Sequence, residues 1–376
     1  MHGFVCCESA VEVIRRLSAR GEWRETPPWP SSTRLLPVWG DCVSRQSDFK
    51  ELAAQTDLLS FGIEKAPVDL LVPESRLRSQ GKGATFHVWS RAIPAGSCRR
   101  AAPSLVVSGP EFVILQLCGS YAKLDGLLEG FAKAIKAQGD LLRETGGAAT
   151  DLVAELPFKW EQRRRLVAAT VLACELAGTY RLGGLSNPAA SYDCEPVMTA
   201  ESLRALLANV GPSPAARRAT VVANLMLEGS ASPMETALAL MLTLPVDFGG
   251  FGIKKPQVNV AIELDGKDGG PRIVKPDFLW ADERLALEYD SAEFHAEKGA
   301  ALAARDAARS NALMVAGYRV LRVTTYTVST LEGVALLASQ IARLLGVELA
   351  IPDELQMQRR RRLFIELLPG GTEVLY

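Results

Sequence analysis

The strongest chemical pattern in the chain is a group of carboxylates between Asp277 and Asp290. Residues Arg284 to Asp290 read as a strand, and period-two alternation puts Leu285, Leu287 and Tyr289 on one face and Ala286, Glu288 and Asp290 on the other. Two acids therefore share a face. If Asp282 and Glu283 are the central pair of a hairpin turn, Asp277 lies across from Glu288, roughly 5 Å away between Cβ atoms. A three-residue turn would put Leu287 there instead. Like charges ~4 Å apart repel by roughly 4 kcal/mol at an effective dielectric of 20, so a proton or a metal ion has to resolve the crowding. Oxygen-only ligands suit Mg²⁺ or Mn²⁺ rather than zinc, and these ions polarise phosphoryl oxygens and generate hydroxide for hydrolysis. The chemistry favoured is phosphodiester hydrolysis. With only His2, His87 and His295 in the chain a histidine-based zinc centre is excluded, and an odd seven cysteines with no CxxC pair argue against disulfides.

Positioning such a site takes a compact α/β unit. The pattern predicts strands over Val258–Leu264 and Arg272–Trp280 around a glycine-rich turn at Asp265–Gly270, then the strand ending at Asp290. A helix over Glu297–Ala316, an apolar strand over Tyr318–Thr324 and a closing helix from about Ser329 to Leu345 follow. Ahead of them, Ser232 and Pro233 open a further helix, with Glu235 at the third helical position, where a capping carboxylate belongs for structural reasons alone. Asp306 and Arg309, three apart on a helix, read first as an intrahelical pair of about 0.2–0.5 kcal/mol.

Pro276, Asp277 and Phe278, then Leu287 to Asp290, His295, Asp306, Arg309 and the run Gly317–Thr324 together resemble the PD-(D/E)XK nuclease superfamily, within it the very-short-patch-repair-like endonuclease branch. Ser232 to Glu235 match the start of that domain's first helix, and the likeness extends to about Leu345. The resemblance implies a restriction-endonuclease-like fold, a mixed sheet flanked by helices. It implies Asp277 as the central metal ligand, Glu288 as the second carboxylate, Glu235 as the acid from the first helix, and His295 as an acid/base group. Asp290 stands where the namesake lysine would, and an aspartate binds metal or accepts a proton but cannot donate positive charge. The function implied is Mg²⁺- or Mn²⁺-dependent hydrolysis of DNA, in repair or in defence against phage and mobile elements. The alternative is a catalytically inactive, nuclease-fold DNA-binding regulator or antitoxin-like protein, with a protein partner. The stretch from about Pro67 to Arg181 more faintly resembles the middle of abortive-infection antitoxin-related proteins, through the runs VDLLVPES, FHVW and SGPE.

The rest of the chain bounds this reading. With 42 basic against 43 acidic side chains in 376 residues, there is no global positive field, so any hold on DNA must come from local patches. Candidate phosphate contacts are Lys275, Arg309 and the run Arg359, Arg360, Arg361 and Arg362, whose other reading is a helix surface that docks back through Leu363–Leu368. A hydrophobic share of 48% and a charged share of 23% describe a folded chain, and the N-terminal acids Glu8 and Glu12 argue against a signal peptide. No apolar run approaches the ~20 residues of a membrane span, so the expectation is a cytoplasmic protein with no membrane contact. Prolines 27, 28, 30 and 37 predict no regular element before residue 40. The predicted organisation is a lead-in over 1–60, a mixed α/β and then helical region over 61–228 that selects substrate or partner, the nuclease-like domain over 229–350, and a basic and apolar extension over 351–376. Ser108 to Glu111 read as a capping box. The similar stretches Cys118–Tyr121 and Ala177–Tyr180 read as helix ends closed by a left-handed glycine.

Overall fold

The computed structural model describes residues 2–29, 42–119, 125–138, 158–184, 189–265, 271–290 and 299–368. The chain is mixed α/β and divides into two units, Met1–Leu127 with Arg164–Met226, and Leu128–Arg163 with Leu227–Tyr376.

The first unit begins in the middle of its own sheet. β1 (Gly3–Val5) is fully buried, pairs parallel with β6 (Leu105–Ser108) and antiparallel with β2 (Val68–Val72), and leads into α1 (Cys7–Ala19). The expected lead-in segment is thus corrected. Three apolar residues suffice for a central strand because both faces are covered, and a run so short carries no period for a sequence to display. α1 buries Ala10, Val11, Val13, Ile14 and Leu17, one face of a helix, against this sheet and the helix that follows β6. After α2 (Gln46–Gln55), the strands β3 (Ser79–Gln80), β4 (Ala84–Val88) and β5 (Cys98–Ala102) complete a six-stranded mixed sheet of order β3-β4-β2-β1-β6-β5.

α3 (Pro110–Leu117) starts at Pro110 as expected, but Gly109 is its N-cap and no side chain caps it. Ser108 is instead a strand residue whose hydroxyl accepts a hydrogen bond from the Gln116 amide at 3.0 Å. α4 (Asp125–Gln138), α5 (Phe158–Leu176), α6 (Ala200–Val210) and α7 (Pro214–Leu225) follow. The turns after α3 and α5 do match: the N–H of Gly119 donates to the Gln116 carbonyl and that of Gly178 to the Glu175 carbonyl. Neither glycine is left-handed, because a three-residue closure needs no positive φ.

A buried ion cluster braces α1 to the end of α5. Both carboxylate oxygens of Glu175 accept from Arg15, at 2.8 and 2.6 Å, and one also accepts the Leu182 N–H at 3.0 Å. Arg181 is fully buried. Its guanidinium donates to the carbonyls of Glu175, Leu176, Gly178, Tyr180 and Glu195 and to the Ser18 hydroxyl.

The second unit is built on α8 (Pro233–Thr243), all eleven residues of which are buried. Ser232 caps it, its hydroxyl accepting from the Glu235 N–H at 3.1 Å. β7 (Gln257–Val258), β8 (Ile262–Asp265), β9 (Pro271–Val274), β10 (Phe278–Trp280), β11 (Leu285–Asp290), α9 (Gly299–Val315), β12 (Arg319–Thr324), α10 (Thr325–Val328), α11 (Leu331–Leu345) and α12 (Glu354–Leu367) complete it. The main sheet has the order β12-β11-β10-β7, with β11 parallel to β12 and antiparallel to β10, and β8 and β9 form a separate hairpin. Leu264, Val274, Leu279, Ala286 and Leu313 join hairpin, sheet and α9 in one apolar cluster.

Two expected strands are each broken in two. Asn259 adopts a left-handed φ of 52° between β7 and β8, and Pro276, which has no N–H to give a ladder, separates β9 from β10. Within the basic and apolar extension, α12 packs on α8 and on the turn Val246–Phe248. Gly249 closes that turn with φ 95°, and a Cβ there would stand 2.4 Å from the Arg359 carbonyl oxygen on α12. Gly249→Ala is expected to lower the stability of this unit by about 1–3 kcal/mol and to raise hydrogen exchange in α12 first.

Candidate functional site

The hairpin β10–β11 has the two-residue register: Phe278 pairs with Leu287, Leu279 with Ala286 and Trp280 with Leu285. Continued by one residue, that register sets Asp277 against Glu288, the first of the two alternatives open in the sequence. The Asp277 carboxylate turns back over the hairpin and accepts the Tyr289 N–H at 2.6 Å. Glu288 is 1% exposed, and its two oxygens accept from Arg309 Nε at 2.7 Å and from the Ser310 hydroxyl at 2.5 Å, both on α9. Arg309 therefore reaches across from α9 to the acids, and the intrahelical pair read for it with Asp306 lies outside the described residues. The side chain of Asp306 and all of His295 lie outside the described residues.

Glu235 brings the tip of α8 to the same place. One oxygen accepts from the Ala231 N–H at 2.8 Å and the Asn259 amide at 2.5 Å, the other from the Ser232 hydroxyl at 3.1 Å. The capping role and the site position hold together. Asn259 is the residue that sequence reasoning missed. Its N–H donates to the Asp277 carbonyl at 3.0 Å while its amide reaches Glu235 and the Gly229 carbonyl, so the left-handed break in the strand fastens the first helix to the Asp277 segment. An asparagine inside an apolar strand pattern was the available signal, since asparagine tolerates that backbone conformation.

The electrostatics express the crowding. Burial pushes the Asp277 carboxyl from 3.8 up to about 7, the negative charges of Glu235 and Glu288 push the same way, and the Tyr289 N–H and Arg309 oppose them. Glu235 is also raised, chiefly by burial, against its three hydrogen bonds and the charge of Lys275. Lys275 is exposed, and its charge acts on Glu235. Asp290 points elsewhere: it forms an ion pair of 2.6 Å with Arg322 on β12, so the position held by an acid instead of a lysine is neutralised by an arginine from the next strand.

In kind, this donor set fits a hard divalent cation: three carboxylates gather with too little positive charge among them, and a cation supplies what is missing. In spacing, their oxygens do not all come within 4.8 Å of one another, and Glu288 has to exchange Arg309 or Ser310 for the ion. The only set of three histidine, cysteine or acidic ligand atoms that close among the described residues is Cys6, Cys7 and His87, in the first unit. The histidine count spoke against a histidine-based centre; this set instead brings two cysteines and one histidine together from 80 positions apart.

Three of the four arginines in the C-terminal run are engaged within the protein. Arg360 is buried with its guanidinium 4.0 Å from the Phe251 ring centre, Arg359 pairs with Asp247 at 2.8 Å, and Arg362 pairs with Glu366 at 3.0 Å. Only Arg361 of the four is exposed. The docking reading of this helix holds, through buried Leu363, Phe364 and Leu367. Among the described residues, no helix is long and apolar enough to cross a membrane. What fold and site define is an α/β protein with a buried acidic cluster at a hairpin. Comparison of the chain with protein-family models, curated proteins and solved structures gave no match in any of the three.

Proposed function

We propose that the second unit is a metal-dependent endonuclease domain acting on DNA phosphodiesters. The observation that carries the reading is the meeting of Glu235, Asp277 and Glu288, from a helix tip and two paired strands, with the Asp277 carboxyl held at about 7. Mg²⁺ or Mn²⁺ held by these three acids would polarise the phosphate and lower the pKa of a bound water. The chain's own groups supply the rest. Asp277 titrates near neutral pH, where a carboxylate exchanges protons with water efficiently. Arg309, released from Glu288, is placed to balance charge on a phosphate oxygen, and exposed Lys275 is placed to hold the strand. Arg322 contributes the positive charge that Asp290 lacks.

The test is incubation of the full chain with supercoiled, linear, mismatched and single-stranded DNA and Mg²⁺ or Mn²⁺. Cleavage is expected on at least one substrate, reduced about 100-fold or more by Asp277→Ala and by Glu288→Gln. A second reading has its own support: both oxygens of Glu288 are engaged and Asp290 is ion-paired, as suits a nuclease-fold regulator that binds DNA without cutting it. Metal-independent binding, unchanged in Asp277→Ala and with no cleavage, would decide for that reading and against the enzyme.

A further inference from the structure

The junction between β1 and α1 carries a second constellation, independent of the acidic cluster. Cys6 is the N-cap of α1 and Cys7 its first residue, with a left-handed φ of 49°. This backbone is unfavourable for a residue with a Cβ and places two adjacent side chains where alternation along a strand would separate them. The Cys7 N–H is fixed by the Gln116 side-chain oxygen at 3.1 Å, and Gln116 in turn by Ser108. Both sulfurs and a ring nitrogen of His87, on β4, lie within 4.8 Å of one another. His87 Nε2 stands 2.7 Å from Asp69 Oδ1 on β2, and Asp69 is itself held by Ser9, whose hydroxyl accepts the Asp69 N–H at 2.9 Å.

We propose that Cys6, Cys7 and His87 form a zinc site, with Asp69 holding the imidazole and the fourth position open. The donor set is the soft one that selects zinc, and three protein ligands with one open position is the pattern of zinc sites that bind a water or substrate. A carboxylate on the far side of a ligating histidine fixes the ring and raises its basicity. Charge balance agrees. Two thiolates and one Zn²⁺ sum to zero, so a fully buried Cys6 and a nearly buried Cys7 become a neutral centre once the ion is bound. The N-terminus of α1 adds its dipole in favour of the thiolates. Access is from the His87 side, where the imidazole and Asp69 are 13% and 19% exposed.

The experiment is titration of the reduced, chelator-stripped full chain with Co²⁺, read by the thiolate-to-cobalt charge-transfer band, followed by displacement with Zn²⁺. One ion per chain is expected to give the band, with its affinity lowered about 100-fold by Cys6→Ser or Cys7→Ser and about 10–100-fold by Asp69→Asn. His87→Ala is expected to fall between these, and Cys42→Ser to leave the charge-transfer band unchanged. A folded wild-type protein without the band overturns the proposal. So does a band that survives both Cys6→Ser and Cys7→Ser. Because the wild type alone can fail this test, it does not depend on the variants folding.

Discussion

Asp277→Asn is expected to make the metal-free second unit more stable by about 2–4 kcal/mol at pH 8, and by progressively less as the pH is brought down toward 4. The sign follows from the direction of the shift. The carboxyl has a folded-state value of about 7 and an ordinary value of 3.8, so between these the folded state holds a proton that the unfolded chain has released. Wild-type stability therefore falls as pH rises through this window and is lowest above it. The separation of the two values, at about 1.4 kcal/mol per pH unit, sets a ceiling of about 4 kcal/mol, and partial exposure of the half-buried carboxyl lowers it. Asparagine keeps an oxygen to accept the Tyr289 N–H and carries no charge against Glu235 and Glu288. Thermal unfolding at pH 4 to 8, with hydrogen exchange over residues 227–368 to localise the effect, is the measurement. A variant less stable than wild type at pH 8 would contradict it. Added Mn²⁺ is expected to stabilise wild type and not the variant, since the ion takes over the neutralisation that the proton performs.

The second large effect is expected at Arg181. Arg181→Met keeps much of the volume but removes the donors that satisfy five carbonyls and the Ser18 hydroxyl, and leaves Glu175 with Arg15 as its charged partner. Breaking a buried charge network from one side is worth about 3–5 kcal/mol. Burial lowers the Arg181 pKa while the Glu175 charge opposes that, so the two are stable only together. With two units in one chain, a single unfolding transition is not the right readout. Hydrogen exchange over 164–226 and over α1 is expected to rise together, while α8 and the β10–β11 hairpin keep their protection. A loss confined to under 1 kcal/mol would mean that the loop after α5 is held by its backbone alone.

What the residues disclosed beforehand follows the range of the interactions concerned. The β10–β11 hairpin was legible because its partners lie within about ten positions, and the turn at Asp282 and Glu283 sets the register. α9 and α11 were legible from helical period. Glu235 could be placed at a capped helix start, but its approach to Asp277 depends on Asn259, whose left-handed backbone has no periodic signature. The bond of Arg309 to Glu288 was not legible, because a partner 21 positions away leaves no spacing signal while a local one at three residues does. β1 escaped notice for the same reason as the Cys6, Cys7 and His87 cluster: its neighbours β2 and β6 arrive from more than sixty positions away.

The docking of α12 on α8 also governs how the chain can be cut. A fragment ending near residue 350, the boundary that composition suggests, would strip the cover that α12 gives to a helix whose eleven residues are all buried. Such a fragment should collect in inclusion bodies, whereas one carried through Leu368 should stay in the supernatant. Tags for purification or fusion are best joined beyond that point, where they leave the lid of the core in place.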